Sequence, residues 1–132
     1  MAAFSEVLRE PSPSHRVALA LDYASEERSS FPSSPDVIQG FIVRLKEQEP
    51  TFFDDFVFES RNVHPFSQEV YDALFQLENA SILTEDNPRW VKYTWNETER
   101  VKLRDDLTRR FSEADRIKVR AAVAQVMASF SF

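Results

Sequence analysis

The 132-residue sequence predicts a single domain of the α+β class, mainly α-helical, with one small β-hairpin. Five segments repeat apolar residues at helical spacing behind capping residues, whereas "WVKYTW" at 90–95 alternates with the period of a strand. The third observation is the apolar content: 42% of residues are hydrophobic and twelve are phenylalanine, enough for one buried core in a chain of this length.

Residues 1–12 run into the breaker "EPSPS" and are expected to form a loosely held, flexible arm, leaving 13–132 as the domain proper. A first helix starts near Ser12 or Ser14 and continues through "HRVALALDYASEE", with Val17, Leu21 and Ala24 on one stripe and Ala20 beside them. "RSSFPSSP" reads as a loop. Ser34 as N-cap, Pro35 at the first helical position and Asp36 in the first turn open a second helix. That helix turns Val37, Ile38, Phe41, Ile42 and Leu45 inward, and Pro50 closes it. Gly40 within it weakens the helix by roughly 1 kcal/mol relative to alanine and is expected at a close helix contact.

"TFFDDFVFES" has the aromatic and β-branched content of a strand, with Phe56 and Phe58 on one side and Val57 on the other. Ser67 is expected to cap a third helix, Phe66 packing on Tyr71 as a hydrophobic staple. Val70, Ala73, Leu74 and Leu77 form its buried stripe. Ile82 and Leu83, the turn-rich "TEDNPR", and Val91, Tyr93 and Trp95 on one face of the next run make a hairpin, or wing, near 82–95. Asn96 with Glu99, and Ser112 with Asp115, are capping-box pairs that start the last two helices. Leu103, Leu107 and Phe111 mark the buried side of the first; Ile117, Ala121, Val123, Ala124 and Met127 are expected to bury the second. The order is winged-helix-like in outline.

The net charge of −6 is unevenly spread: residues 1–84 hold 6 Lys/Arg against 14 Asp/Glu, and residues 85–132 hold 10 against 8. An acidic front half repels phosphate backbones, while the C-terminal part offers at most a mildly basic face. Absence of cysteine excludes disulfides, thiolate zinc sites and a cysteine nucleophile. The N-terminus lacks a basic start followed by an apolar run, and no apolar segment approaches the length of a bilayer span, so a soluble, cytoplasmic protein is expected.

Residues 56–98 resemble the central part of the Panacea-domain group, which includes antitoxins and phage-associated proteins. The matching pieces are Phe58, Pro65, Val70, Tyr71, Leu74, Leu77, Leu83, Tyr93 and Trp95. The resemblance implies a regulatory, antitoxin-like protein that binds a protein partner and performs no catalysis.

The third helix lies where a winged-helix protein would place its DNA-reading helix, but a DNA reader needs cations facing phosphates. Its outward positions are Gln68, Glu69, Asp72, Gln76, Glu78 and Asn79, and no Lys or Arg occurs between Arg61 and Arg89. Carboxylates pressed into a groove lose water and meet phosphates, so this helix is expected not to read DNA. Gln68, Glu69, Asp72, Gln76 and an exposed Trp90 are therefore the candidate partner-binding residues. The candidate nucleic-acid contacts are Arg100, Lys102, Arg104, Arg109 and Arg110, with Arg116, Lys118 and Arg120 beyond them. Their interleaving with Glu99, Asp105, Asp106, Glu113 and Asp115 reads more readily as solvated helix faces.

His15 and His64 are far apart in sequence and neither has a carboxylate or second histidine at ligand spacing, so no metal site is expected. Adjacent Asp54 and Asp55 point to opposite sides of a strand and make no acid–base pair. No serine sits in a nucleophile motif, and a single glycine builds no phosphate loop. The expectation is a non-enzymatic regulator without cofactors, compatible with a homodimer. A winged-helix DNA-binding regulator and an acidic mimic of nucleic acid are the alternatives.

Overall fold

The computed structural model describes residues 11–26, 28–61, 64–85 and 92–130. In chain order it contains α1 (Pro13–Ala24), β1 (Ser30–Pro32), α2 (Pro35–Gln48), β2 (Glu59–Arg61), β3 (His64–Phe66), α3 (Gln68–Asn79), β4 (Leu83–Glu85), β5 (Lys92–Trp95), α4 (Glu97–Arg110) and α5 (Glu113–Met127). The architecture is mostly helical with two small antiparallel sheets, as the α+β expectation requires.

α1 is the central helix. Ser14, His15 and every residue from Val17 to Asp22 are buried, and the helix packs against α3, α4 and α5. A helix buried nearly all round cannot be a simple amphipathic stripe, which is why its polar members Asp22 and His15 need partners inside the protein. Its N-terminus is closed by a reciprocal cap: the His15 amide donates to Ser12 Oγ, and the Ser12 amide donates to His15 Nδ1 at 3.0 Å. Ser12 thus belongs to the folded domain and not to the arm, whose residues 1–10 lie outside the described residues.

Two loop and strand expectations are corrected. Within "RSSFPSSP", Ser30–Pro32 is a strand that pairs antiparallel with β5, because Phe31 buries its ring 5.7 Å from those of both Tyr93 and Trp95. The hairpin β4–β5 completes a three-stranded sheet in the order β1-β5-β4, with Leu83 opposite Trp95. Within "TFFDDFVFES", residues 51–55 form turns, and only Glu59–Arg61 is a strand, paired with His64–Phe66. Phe53 and Phe56 are buried edge to face, so their aromatic content serves a compact turn over the core.

The stripes of α2, α3 and α4 follow the sequence pattern, except that Val37 is only half-buried. α5 departs: Val119, Ala122, Val123 and Val126 face inward, while Ile117, Ala121 and Ala124 are exposed. Apolar and small residues occur all round this helix, so periodicity alone does not select its buried side. α3 ends in a Schellman turn, Ile82 N–H donating to Leu77 O and Ser81 N–H to Glu78 O. Ser81 takes φ of 62° there, a left-handed position usually given to glycine, and this turn redirects the chain into β4.

The deepest polar contact joins α1 to α4. Arg100 is 2% exposed, donates from Nε to Asp22 Oδ1 at 2.6 Å, and reaches the carbonyls of Asp22, Ser25 and Arg28. Its guanidinium lies 4.5 Å from the Trp95 ring, whose Nε1 donates to Ser25 Oγ at 2.9 Å. One cation therefore satisfies a carbonyl in the last turn of α1, its C-cap carbonyl at Ser25 and the loop carbonyl of Arg28, interacts favourably with the helix dipole and faces the buried carboxylate.

Replacing Arg100 with alanine strands those carbonyls and leaves the buried Asp22 carboxylate to Arg104 alone, and is expected to cost about 3 kcal/mol or more in denaturant-unfolding stability. At Gly40 an added methyl would meet only the Phe130 ring at 3.7 Å, an ordinary contact, so the glycine is not forced by packing. Gly40→Ala is expected to raise stability by about 0.5–1 kcal/mol in the same measurement.

Candidate functional site

The outward side of α3 and the groove beside it are held by a polar lock at the helix start. The buried Gln39 amide of α2 clasps the backbone of Ser67, Ser67 N–H donating to Oε1 at 2.8 Å and Nε2 donating to Ser67 O at 3.1 Å. Ser67 stands at the N-cap position but makes no side-chain cap bond; its hydroxyl donates instead to Glu69 at 2.8 Å. Glu69 also accepts Val57 N–H at 3.1 Å. Desolvation acts to raise the Glu69 pKa, and these hydrogen bonds outweigh it and hold the carboxyl below the usual range. Glu69, expected as a partner contact, is thus occupied in tying α3 to the segment before β2.

The other predicted contacts fall out as follows. Gln68 and Asp72 are exposed and bonded to each other across one turn at 2.9 Å, and Gln76 is half-buried. Trp90 lies outside the described residues. Two residues absent from the expected list dominate the face instead: Tyr71 is 55% and Phe75 56% exposed. The available signal was Phe75 itself, a large aromatic adjacent to Leu74 and therefore turned off the buried stripe. Phe66 does pack on Tyr71, ring centroids 6.3 Å apart, so the staple forms.

Beside these rings runs a groove of about 320 Å³ lined mainly by Pro35, Phe66, Tyr71, Leu74, Phe75 and Tyr93. Glu78 stands on its wall, where the Tyr93 hydroxyl donates to Oε2 at 2.7 Å. Burial first, and then the adjoining Glu78 carboxylate, push the Tyr93 hydroxyl above its ordinary pKa, so it stays a proton donor.

Two of the cationic candidates, Arg100 and Arg110, are buried, and most of the others stay exposed beside carboxylates. Arg100 is the buried keystone already described. Arg104 contacts both oxygens of Asp22 at 3.1 and 3.0 Å. The Arg110 side chain is only 7% exposed and donates to Asp106 at 2.8 Å, so neither Arg100 nor Arg110 is available to phosphates. Lys102 and Arg109 are exposed, within reach of Glu99 at 3.5 Å and Asp106 at 3.4 Å. Arg120 Nη1 donates to both oxygens of Glu26 at 2.7 and 2.8 Å, its guanidinium lies 4.3 Å from the Tyr23 ring, and Arg116 donates to the Phe111 carbonyl.

Tertiary structure gives both histidines the carboxylates that sequence spacing does not: His15 Nε2 is 3.8 Å from Asp106, and His64 Nε2 is 3.3 Å from Asp36. Among the described residues no group of three His, Cys, Asp or Glu side chains could hold a metal ion. None of their helices is long and apolar enough to cross a membrane. Comparison of the chain with family models, with curated proteins and with solved structures returned no match.

His15 is a buried titrating group with a clear consequence. Desolvation first, then the nearby Arg110 charge, lower its pKa from 6.5 to about 4, against the smaller opposing pull of Asp106. The unfolded chain therefore takes up a proton that the folded one refuses, and stability falls as pH drops from about 6.5 to about 4. The loss is about 3 kcal/mol over that window. His15→Gln preserves a side chain able to complete the reciprocal cap, and urea titrations across pH 4–7 are expected to show a distinctly flatter profile than the parent.

Proposed function

We propose that this protein is a non-catalytic regulatory protein that binds a protein partner through the exposed side of α3 and its groove. The order α1-β1-α2-α3-β4-β5, with the sheet arranged β1-β5-β4, supports a winged-helix reading of the scaffold, with β2 and β3 as an added hairpin. On that reading α3 takes the place of a DNA-reading helix, yet its surface chemistry suits another protein.

The observation that carries the proposal is the pair of exposed rings, Tyr71 and Phe75, set among carboxylates in a stretch without Lys or Arg from residue 62 to residue 88. Exposed aromatics beside an apolar groove are the usual anchors of protein interfaces. Carboxylates around them select a cationic partner surface and disfavour nucleic acid. The antitoxin-like role implied by the Panacea resemblance is a specific form of this reading, in which the partner is a toxic enzyme and the site of action is the cytoplasm. Internal pairing of Arg100, Arg104 and Arg110 weighs against the DNA-binding alternative.

Phe75→Ser, with the fold checked by circular dichroism, is expected to weaken partner capture from host extract at least about tenfold, as loss of an interface anchor does. Lys102→Glu on α4 serves as the control and is expected to capture as well as the parent. Equal capture by all three proteins, or salt-sensitive binding of duplex DNA in place of protein capture, would refute the proposal.

A further inference from the structure

Resting on the binding reading of α3, we infer that the groove between α3 and β5 is a cation-accepting aromatic box whose occupant is a lysine-type alkylammonium side chain of the partner. Four aromatic residues line it: Phe66, Tyr71, Phe75 and Tyr93, from β3, α3 and β5. Pro35 and Leu74 complete the apolar walls, and among the described lining residues there is no Lys or Arg and one carboxylate, Glu78.

The charge of that carboxylate is held in place by the floor of the groove. The Tyr93 hydroxyl donates to Glu78 Oε2 at 2.7 Å, and Tyr93 is itself fixed in the sheet, opposite Phe31 on one side and Glu85 on the other. Aromatic rings attract cations through their quadrupoles, and a groove of four such rings beside a carboxylate therefore favours a cationic occupant. Glu85 adds to the same field, as its effect on Tyr93 records. An apolar side chain without charge would leave the Glu78 carboxylate partly desolvated and unmatched.

The choice of ammonium over guanidinium follows from the same bond. A guanidinium fork prefers two open oxygens, and Tyr93 already engages Oε2. Glu78 Oε1 is left to a single-point donor, which suits a compact ammonium on an alkyl stem lying along the rings.

The test uses the full chain, ¹⁵N-labelled, titrated with N-acetyl-lysine methylamide, its trimethylated form, N-acetyl-arginine methylamide and the neutral isostere N-acetyl-norleucine methylamide. The lysine probe is expected to shift the amides of Phe66, Tyr71, Phe75 and Tyr93 with an affinity in the millimolar range, about −4 kcal/mol, and its trimethylated form, which has no N–H to give Glu78 Oε1, to bind more weakly. The arginine probe is expected to be weaker and the norleucine probe about tenfold weaker or more. Glu78→Gln keeps an acceptor for Tyr93 and is expected to reduce the lysine affinity about tenfold while leaving norleucine unchanged. Norleucine or arginine binding as tightly as lysine, an unaffected Glu78→Gln variant, or no shifts at about 50 mM probe would overturn the inference. Such a failure with Phe75-dependent capture intact removes the cationic anchor alone. Lysine-probe binding without any protein capture sustains the box and removes the partner-binding reading.

Discussion

The Arg100 guanidinium sits where three parts of the molecule meet: the end of α1, the indole of β5 and the first turn of α4. α1 is buried on nearly every side, so its last carbonyls have no water to turn to and need an internal donor. Arg100 supplies that donor along with the counter-charge for Asp22, across a sequence separation of 78 residues. Such a pair gives little net stability compared with apolar replacements, but removal of one member leaves the other stranded. Its geometric effect is larger: it fixes the sheet and α4 relative to the central helix, and everything on the surface is arranged around that.

The exposed face of α3 follows from this arrangement. α3 spends Val70, Ala73, Leu74 and Leu77 on the core and packs chiefly against α1. On its outward side Tyr71 and Phe75 come to the surface, with Phe66 and Tyr93 beside them and Asp72 and Glu78 around them. The clasp of Gln39 on Ser67 and the bonds of Glu69 to Val57 and Ser67 prevent this helix from sliding or fraying at its start. The face is therefore a rigid, preorganised surface, which lowers the entropy lost when a partner docks.

The distribution of charge reinforces the same separation of roles. The C-terminal helices carry half of the sixteen Lys and Arg residues, but Asp22, Glu26 and Asp106 draw Arg100, Arg104, Arg120 and Arg110 into intramolecular pairs. These pairs bind α4 and α5 to α1 or along α4 itself. The salt bridges of the described residues include none to the α3 carboxylates Glu69, Asp72 and Glu78. An acidic chain that consumes its arginines internally is suited to cationic protein surfaces and poorly suited to phosphate backbones.

Sequence alone determined what depends on neighbours along the chain. Helix starts at Ser12, Ser34, Asn96 and Ser112, the stripes of α2, α3 and α4, the β4–β5 hairpin and the acidic character of α3 are all local, set by caps, periodicity and charge. Tertiary structure decided what depends on distant partners. It turned Ser30–Pro32 into a strand because Phe31 finds Tyr93 and Trp95, and it rotated α5 so that Ile117 faces outward. It also withdrew Arg100 and Arg110 from the surface and left Phe75 exposed on what reads in sequence as a purely polar face. Asp22 within the apolar run "VALALDYA" was the one trace of this in the sequence, since a carboxylate in a buried helix demands a cation. Which of sixteen Lys and Arg residues answers that demand is a matter of three-dimensional proximity, and spacing along a chain does not encode it directly.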